Sequence, residues 1–169
     1  MRYLQITSPD INNGSGFRVT LWVAGCTHHC KGCHNQDSWS FKAGKEFTQE
    51  DKEHLFEILE KPHIKGLTLS GGDPLCSYED VWTLAMETKK RFPKKDIWLF
   101  TGFTLDFVKE KCPDILDYVD VIVDGPFIKT ERDITIPFRG SRNQRIWKRL
   151  KNGEWQVADD KEFNLKEEV

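Results

Sequence analysis

A chain of 169 residues with 38% hydrophobic and 12% aromatic residues has the size and apolar content of one globular domain rather than of a disordered or fibrous segment. A formal net charge of −2 provides no field for non-specific binding to nucleic acid, and no stretch approaches the ~18 consecutive apolar residues of a membrane span, so neither partner is expected. Five cysteines, an odd number behind no signal peptide, argue against a disulfide framework and for a cytoplasmic protein whose thiols stay reduced.

Tyr3 to Thr7 alternates weakly and predicts a short strand, and Pro9 to Gly16 is rich in turn formers and predicts a loop. Phe17 to Ala24 is mostly apolar and rich in β-formers; it predicts a core strand that delivers Gly25 and Cys26 at its carboxyl end. Thr48, with Asp51 three residues on, opens a helix through about Glu60 with Leu55, Phe56 and Leu59 on its buried stripe. Ile64 to Ser70 predicts a second core strand running straight into Gly71-Gly72-Asp73-Pro74. Ser77, with Asp80 at the third position, caps a helix carrying Val81, Leu84, Ala85 and Thr88 as far as Pro93. Asp96 to Gly102 repeats the pattern of apolar strand then glycine, and Thr104 opens a helix with Leu105, Val108 and Cys112. Val119 to Val123 is a fourth strand, ended by Asp124-Gly125-Pro126.

The middle of the chain therefore reads β-α-β-α-β-α-β, spaced for parallel crossovers. In such sheets ligands sit at the carboxyl ends of the strands, and Cys26, Gly71-Gly72-Asp73 and Thr101-Gly102 all fall there. Pattern alone leaves a doubly wound sheet and a barrel both open. A full barrel needs about 250 residues, so a barrel here would have to be partial, with a wide lateral opening. Residues 1–150 are expected to form this domain and 151–169 an acidic extension.

Chemistry concentrates in Cys26-Thr27-His28-His29-Cys30-Lys31-Gly32-Cys33, three thiols at spacings of four and three. Soft sulfur donors so close together select an iron–sulfur cluster or zinc. Three local thiolates would leave one iron of a [4Fe-4S] cluster open. Alternatively, His28, His29 or His34 could complete a closed structural zinc site. Gly25 and Gly32 allow backbone to pass close to an inorganic core. Cys76 sits close to the Gly-Gly-Asp turn, and Cys112 reads as a small buried hydrophobe on its helix.

The three-cysteine motif after the first core strand, followed by Gly71-Gly72-Asp73-Pro74 after the next, resembles the radical S-adenosylmethionine (SAM) superfamily. More narrowly, the stretches Gly25 to Cys30, Gly32 to Asn35, Leu69 to Leu75, Asp124 to Phe127 and Phe138 to Ile146 resemble its branch of activating enzymes for the anaerobic ribonucleoside-triphosphate reductase. The resemblance implies an α/β fold, a partial, open (β/α) barrel of the radical SAM type. It further implies a [4Fe-4S] cluster on Cys26, Cys30 and Cys33, with the amino and carboxylate groups of SAM on the open iron. Reductive cleavage of SAM, with the electron coming from a donor such as flavodoxin or ferredoxin, would then yield a 5′-deoxyadenosyl radical that makes a glycyl radical on the catalytic subunit of the reductase. In this family Gly71, Gly72 and Asp73 are expected at the methionyl end of SAM, Gly32, Cys33 and His34 beside its adenine, and Thr101 towards its ribose. Gly32 departs from the aromatic residue that much of the superfamily carries before its third cysteine.

The enzymatic alternatives are activation of a different glycyl-radical enzyme or chemistry on a small molecule; the non-catalytic one is a structural zinc module. A short, open barrel suits a protruding loop of a macromolecule better than a metabolite that needs enclosure. Arg139, Arg142, Arg145, Lys148, Arg149 and Lys151 follow one another without an acid between them, a solvated basic face or a contact for the reductase. Asp159, Asp160, Glu162, Glu167 and Glu168 make the tail acidic, and Trp155 and Phe163 point to a last hairpin or a docking segment.

Overall fold

Strands β1 (Arg2–Asp10), β2 (Arg18–Val23), β3 (Lys45–Glu46), β4 (Gly66–Gly71), β5 (Asp96–Phe100), β6 (Val121–Asp124), β7 (Arg145–Arg149) and β8 (Trp155–Val157) form one sheet in the order β3-β1-β2-β4-β5-β6-β7-β8. The computed structural model describes residues 1–163. As the repeated pattern predicts, β2, β4, β5 and β6 run parallel. Their three connections carry helices α1 (Gln49–Glu60), α2 (Tyr78–Arg91) and α3 (Leu105–Lys111).

The expected partial (β/α) barrel is not what forms: the sheet is mixed and open. Barrel closure requires strands to keep adding with a common tilt and stagger until the first meets the last. Here the parallel succession stops at β6, because the chain beyond Asp124 makes no crossover helix and returns as β7, antiparallel to β6, with β8 antiparallel to β7. At the other side β1 pairs antiparallel with β2, and β3 antiparallel with β1. The two-residue β3 and three-residue β8 end the sheet as separate edges.

Strand alternation sorts the two faces. Val19, Leu21, Val23, Leu67, Leu69, Ile97, Leu99 and Ile122 meet Leu55, Leu59, Val81, Leu84, Leu105 and Val108 of the helices in the main core. The intervening residues face away from the helices. On β5 to β7 these are Trp98, Val121, Val123 and Ile146, which form a smaller apolar cluster with Phe100, Phe138 and Phe163. On β2 and β4 the same face is polar and still buried: Arg18, with no exposed surface, donates to Thr68 Oγ1 (2.7 Å) and the Leu67 carbonyl (2.9 Å), pairs with Asp96 (2.6 Å) and lies over the Trp98 ring.

The helix starts follow local rules with one exception. Thr48 and Asp51 form the expected capping box on α1. Ser77 is the N-cap of α2, but its side chain makes no capping hydrogen bond. A 3-10 turn over Pro74–Ser77 leads into α2 instead, and Asp73 caps that turn by accepting from the Leu75 N–H (3.0 Å). Cys112 is the C-cap of α3 rather than part of its face, although it is buried as expected.

The basic run stays at the surface, as expected, but most of it is ion-paired. Arg139 pairs with Asp160, Lys148 with Glu162, Arg145 with Asp124 (3.3 Å) and Arg149 with Asp120 (3.9 Å), leaving Arg142 and Lys151 without an ion pair among the described residues. Two of the four partners, Asp160 and Glu162, follow β8, which joins residues 155–157 to the main sheet, and Phe163 lies edge-on to Trp98 (5.8 Å) and Phe138 (5.5 Å). Glu167 and Glu168 lie outside the described residues. Among the described residues no helix is long and apolar enough to cross a membrane.

Candidate functional site

The carboxyl ends of β2, β4, β5 and β6 converge on one cavity of about 160 Å³, lined by Cys26, Cys30, Cys33, Gly71, Gly72, Asp73 and Thr101 together with His28, Asn35, Phe127 and Gln144. The stem of the cysteine loop is closed by backbone pairing: the Gly25 N–H donates to the Ser38 carbonyl (2.7 Å) and the Cys26 N–H to that of Trp39 (3.1 Å). Within the loop the Cys33 N–H closes a turn on the Cys30 carbonyl (3.1 Å), and Gly32, at φ 80°, occupies the left-handed position that this turn requires.

All three motif thiols are free of disulfides; Cys26 is buried and the other two half-buried. Burial pushes the Cys26 thiol above its ordinary value, opposed by the backbone amides of His28 and His29, which favour the thiolate. The Asn35 N–H is aimed at Cys33 Sγ (3.3 Å). Soft donors with backbone amides directed at sulfur are what a cluster needs around it, so the residues fit a [4Fe-4S] group held by Cys26, Cys30 and Cys33. Among the described residues no three His, Cys, Asp or Glu side chains close in on one point as ligands of a single ion do.

Of the three histidines considered for a zinc site, His28 is hydrogen-bonded, while exposed His29 and His34 make ring contacts only. His28 Nε2 lies 2.7 Å from Asp73 Oδ2, the His29 ring stacks on Trp39 at 4.7 Å, and exposed His34 leans on Phe127 at 5.7 Å. Asp73 lies at the cavity, as expected, but is almost closed off by its partners. Its carboxylate is 1% exposed and accepts from the Leu75 N–H, from Thr101 Oγ1 (2.9 Å) and from the Gly102 N–H (2.8 Å). It ties strand ends together rather than standing open to a ligand's ammonium, and the Thr101 hydroxyl is spent on it.

Gly71 and Gly72 are also packed more tightly than a ligand-facing turn needs. Gly71 has φ 116° and lies on the backbone of Val23, while a Cβ on Gly72 would sit 2.5 Å from the Gly25 carbonyl oxygen and 2.8 Å from that of Ser38. The glycine turn thus lies on the stem of the cysteine loop, held there by the Asp73 N–H to Gly25 carbonyl bond (2.9 Å).

Asn35, Phe127 and Gln144 are wall residues that sequence reasoning did not single out, although each lies in a stretch carrying the family resemblance. The Gln144 side chain is held at the site by backbone groups of other residues, Nε2 donating to the Gly125 carbonyl (2.9 Å) and Oε1 accepting from the Gly140 N–H (2.9 Å). Seven wall residues, among them Cys33, Phe100 and Gln144, are shared with a second cavity of about 430 Å³. Together the two make a groove that leaves the thiols and runs along the helix-free face towards Trp22, Phe138 and Arg139.

Cys76 and Cys112 stand outside this groove. Cys76 Sγ is 3.6 Å from Thr27 Oγ1 and within electrostatic reach of Cys26, while Cys112 belongs to the main core. Replacing both by alanine is expected to leave iron per chain unchanged after anaerobic reconstitution. A folded double variant that has lost its iron would show Cys76 or Cys112 to be a ligand.

A family model described as "4Fe-4S single cluster domain" matches residues 12–147. Among curated proteins the chain is similar to the anaerobic ribonucleoside-triphosphate reductase-activating protein of Haemophilus influenzae, 45% identical over 150 residues covering 86% of this chain and 97% of that one. It is similar to the protein of that description from Enterobacteria phage T4, 42% identical over 158 residues, 92% of this chain and 99% of that one. The Escherichia coli K12 protein so described is 38% identical over 150 residues, 86% of this chain and 97% of its own.

Proposed function

Because the chain belongs to the family of anaerobic ribonucleoside-triphosphate reductase-activating proteins, we propose that it activates such a reductase by SAM cleavage at a [4Fe-4S] cluster, leaving a glycyl radical on the reductase. The observation that carries this reading is the meeting of three free thiols with the Gly71-Gly72-Asp73 turn and Thr101 around one cavity at the strand ends. When bound, a cluster with one open iron supplies the electron for cleaving the SAM sulfonium; a donor such as flavodoxin or ferredoxin would restore it. Cys26, Cys30 and Cys33 would hold the cluster. The backbone of the glycine turn would offer polar groups to the methionyl end of SAM, and adenine would lie against Cys33 and, where the groove continues, His34, with Gly32 beside them outside the lining. Thr101 shapes the floor by fixing Asp73 rather than by offering a free hydroxyl. The continuing groove gives a reductase loop a way to the thiols, which the chemistry requires, since reacting atoms must come within ~3–3.5 Å.

The test is to mix the reduced, cluster-loaded protein with SAM and the reductase anaerobically. The expected products are 5′-deoxyadenosine and a doublet radical signal on the reductase, whose splitting collapses when the target α-carbon carries deuterium. SAM cleavage without that signal, but with one on a different glycyl-radical enzyme, would move the substrate assignment. About one zinc and no iron per chain would point to the structural module instead.

A further inference from the structure

We propose that His28 is a positioning residue: it anchors the cysteine loop to Asp73, so that the places of Cys26 and Cys30 are set by the same carboxylate that joins the ends of β4 and β5. This rests on the reading above only in taking those thiols as cluster ligands. The contact is His28 Nε2 to Asp73 Oδ2 at 2.7 Å, with the imidazole mostly covered and the carboxylate almost wholly buried. Since Asp73 also accepts from Leu75, Thr101 and Gly102, segments following three strands meet on one side chain. Buried hydrogen-bond networks of this kind hold their members in a single arrangement.

The seat of the imidazole is specific. A Cβ at Gly102 would lie 2.6 Å from His28 Cδ2 and 2.7 Å from Nε2, so the ring fits only because residue 102 is glycine. Phe103 closes the seat edge-on, with centroids 4.4 Å apart. His29 is held separately, stacked on Trp39 with its backbone in the left-handed region at φ 48°. Two anchors therefore fix the span between Cys26 and Cys30, and the one through His28 reaches the strand ends that form the cavity floor. Groups that orient metal ligands without touching the metal typically matter by ~10–100-fold in affinity or activity.

The test uses the full-length chain with His28→Ala, His28→Gln and Gly102→Ala, the last keeping every existing side chain while pushing the ring from its seat. Two readouts are compared: amide hydrogen exchange over residues 26–33, with and without iron, and the low-temperature electron paramagnetic resonance spectrum and midpoint potential of the reduced cluster. His28→Ala and Gly102→Ala are each expected to speed exchange in the loop by about tenfold, the loss of one buried hydrogen bond. Both should also broaden the spectrum and shift the potential. His28→Gln, whose amide can reach Asp73, should return both readouts towards the parent. Unchanged exchange and an unchanged spectrum in His28→Ala and Gly102→Ala would overturn the inference. Because exchange is also read without iron, a parent chain that takes up no cluster would defeat the functional reading while the anchor is still judged. If His28→Ala fails to fold, Gly102→Ala decides.

Discussion

Alanine at Cys26, Cys30 or Cys33 is expected to abolish cluster retention outright, with iron and sulfide per chain falling to background after anaerobic reconstitution and the visible absorption disappearing. The loss should be complete because, among the described residues, Cys26, Cys30 and Cys33 are the only thiols that line the cavity. Cys76 is turned to Thr27 outside the cavity, His28 is committed to Asp73, and His29 is stacked on Trp39. The three variants should differ in one respect. Cys26 is 7% exposed, so Cys26→Ala also removes a buried side chain and should lower the stability of the iron-free chain, whereas half-buried Cys33 can be replaced at little cost. A single variant that keeps its full iron complement would refute the three-thiol assignment.

Sequence reveals those parts of this molecule that depend on near neighbours. The four parallel strands are each a short run of β-formers with a glycine at its end or within two residues beyond it, and the box at Thr48 and Asp51 is complete within four residues. What decides the architecture is not local. Nothing within Arg145–Arg149 says that it lies antiparallel on β6, yet that pairing ends the parallel series and leaves the sheet open. Likewise Phe17 is apolar and 51% exposed while Arg18 beside it is fully buried, because its guanidinium finds Asp96, Thr68 and Trp98 far along the chain. The basic run reads as solvated until Asp160 and Glu162 fold back onto it. At the site, the glycines and thiols are visible as motifs because their chemistry is in their identity. The roles of Asp73 and His28 are not, because each is defined by a partner from another strand end.

Gly72→Val is expected to remove the cluster site as well as any room for a ligand. A pair of glycines after a strand reads as a place cleared for something bound, and on that view a larger side chain would block the ligand and leave the thiols alone. The backbone of the turn does line the cavity, but a side chain at Gly72 would point into the stem of the cysteine loop. The space beside Gly72 is filled by the carbonyls of Gly25 and Ser38, 2.5 and 2.8 Å from where a Cβ would stand, and both belong to the stem from which Cys26 emerges. Backbone at this distance cannot swing aside as the end of a flexible side chain can, so the stem itself must move, taking with it the Gly25 to Ser38 and Asp73 to Gly25 hydrogen bonds. Overpacking of this kind costs ~1–3 kcal/mol, and each backbone bond lost about 1 kcal/mol more. For a domain of this size about 3 kcal/mol corresponds to a fall of roughly 6–12 °C in Tm. The measurements are the Tm of the iron-free chain by circular dichroism and iron per chain after reconstitution, and both should fall together. A Gly72→Val protein that melts with the parent and takes up its full iron, yet no longer binds SAM, would restore the simpler view of the turn as a ligand pocket.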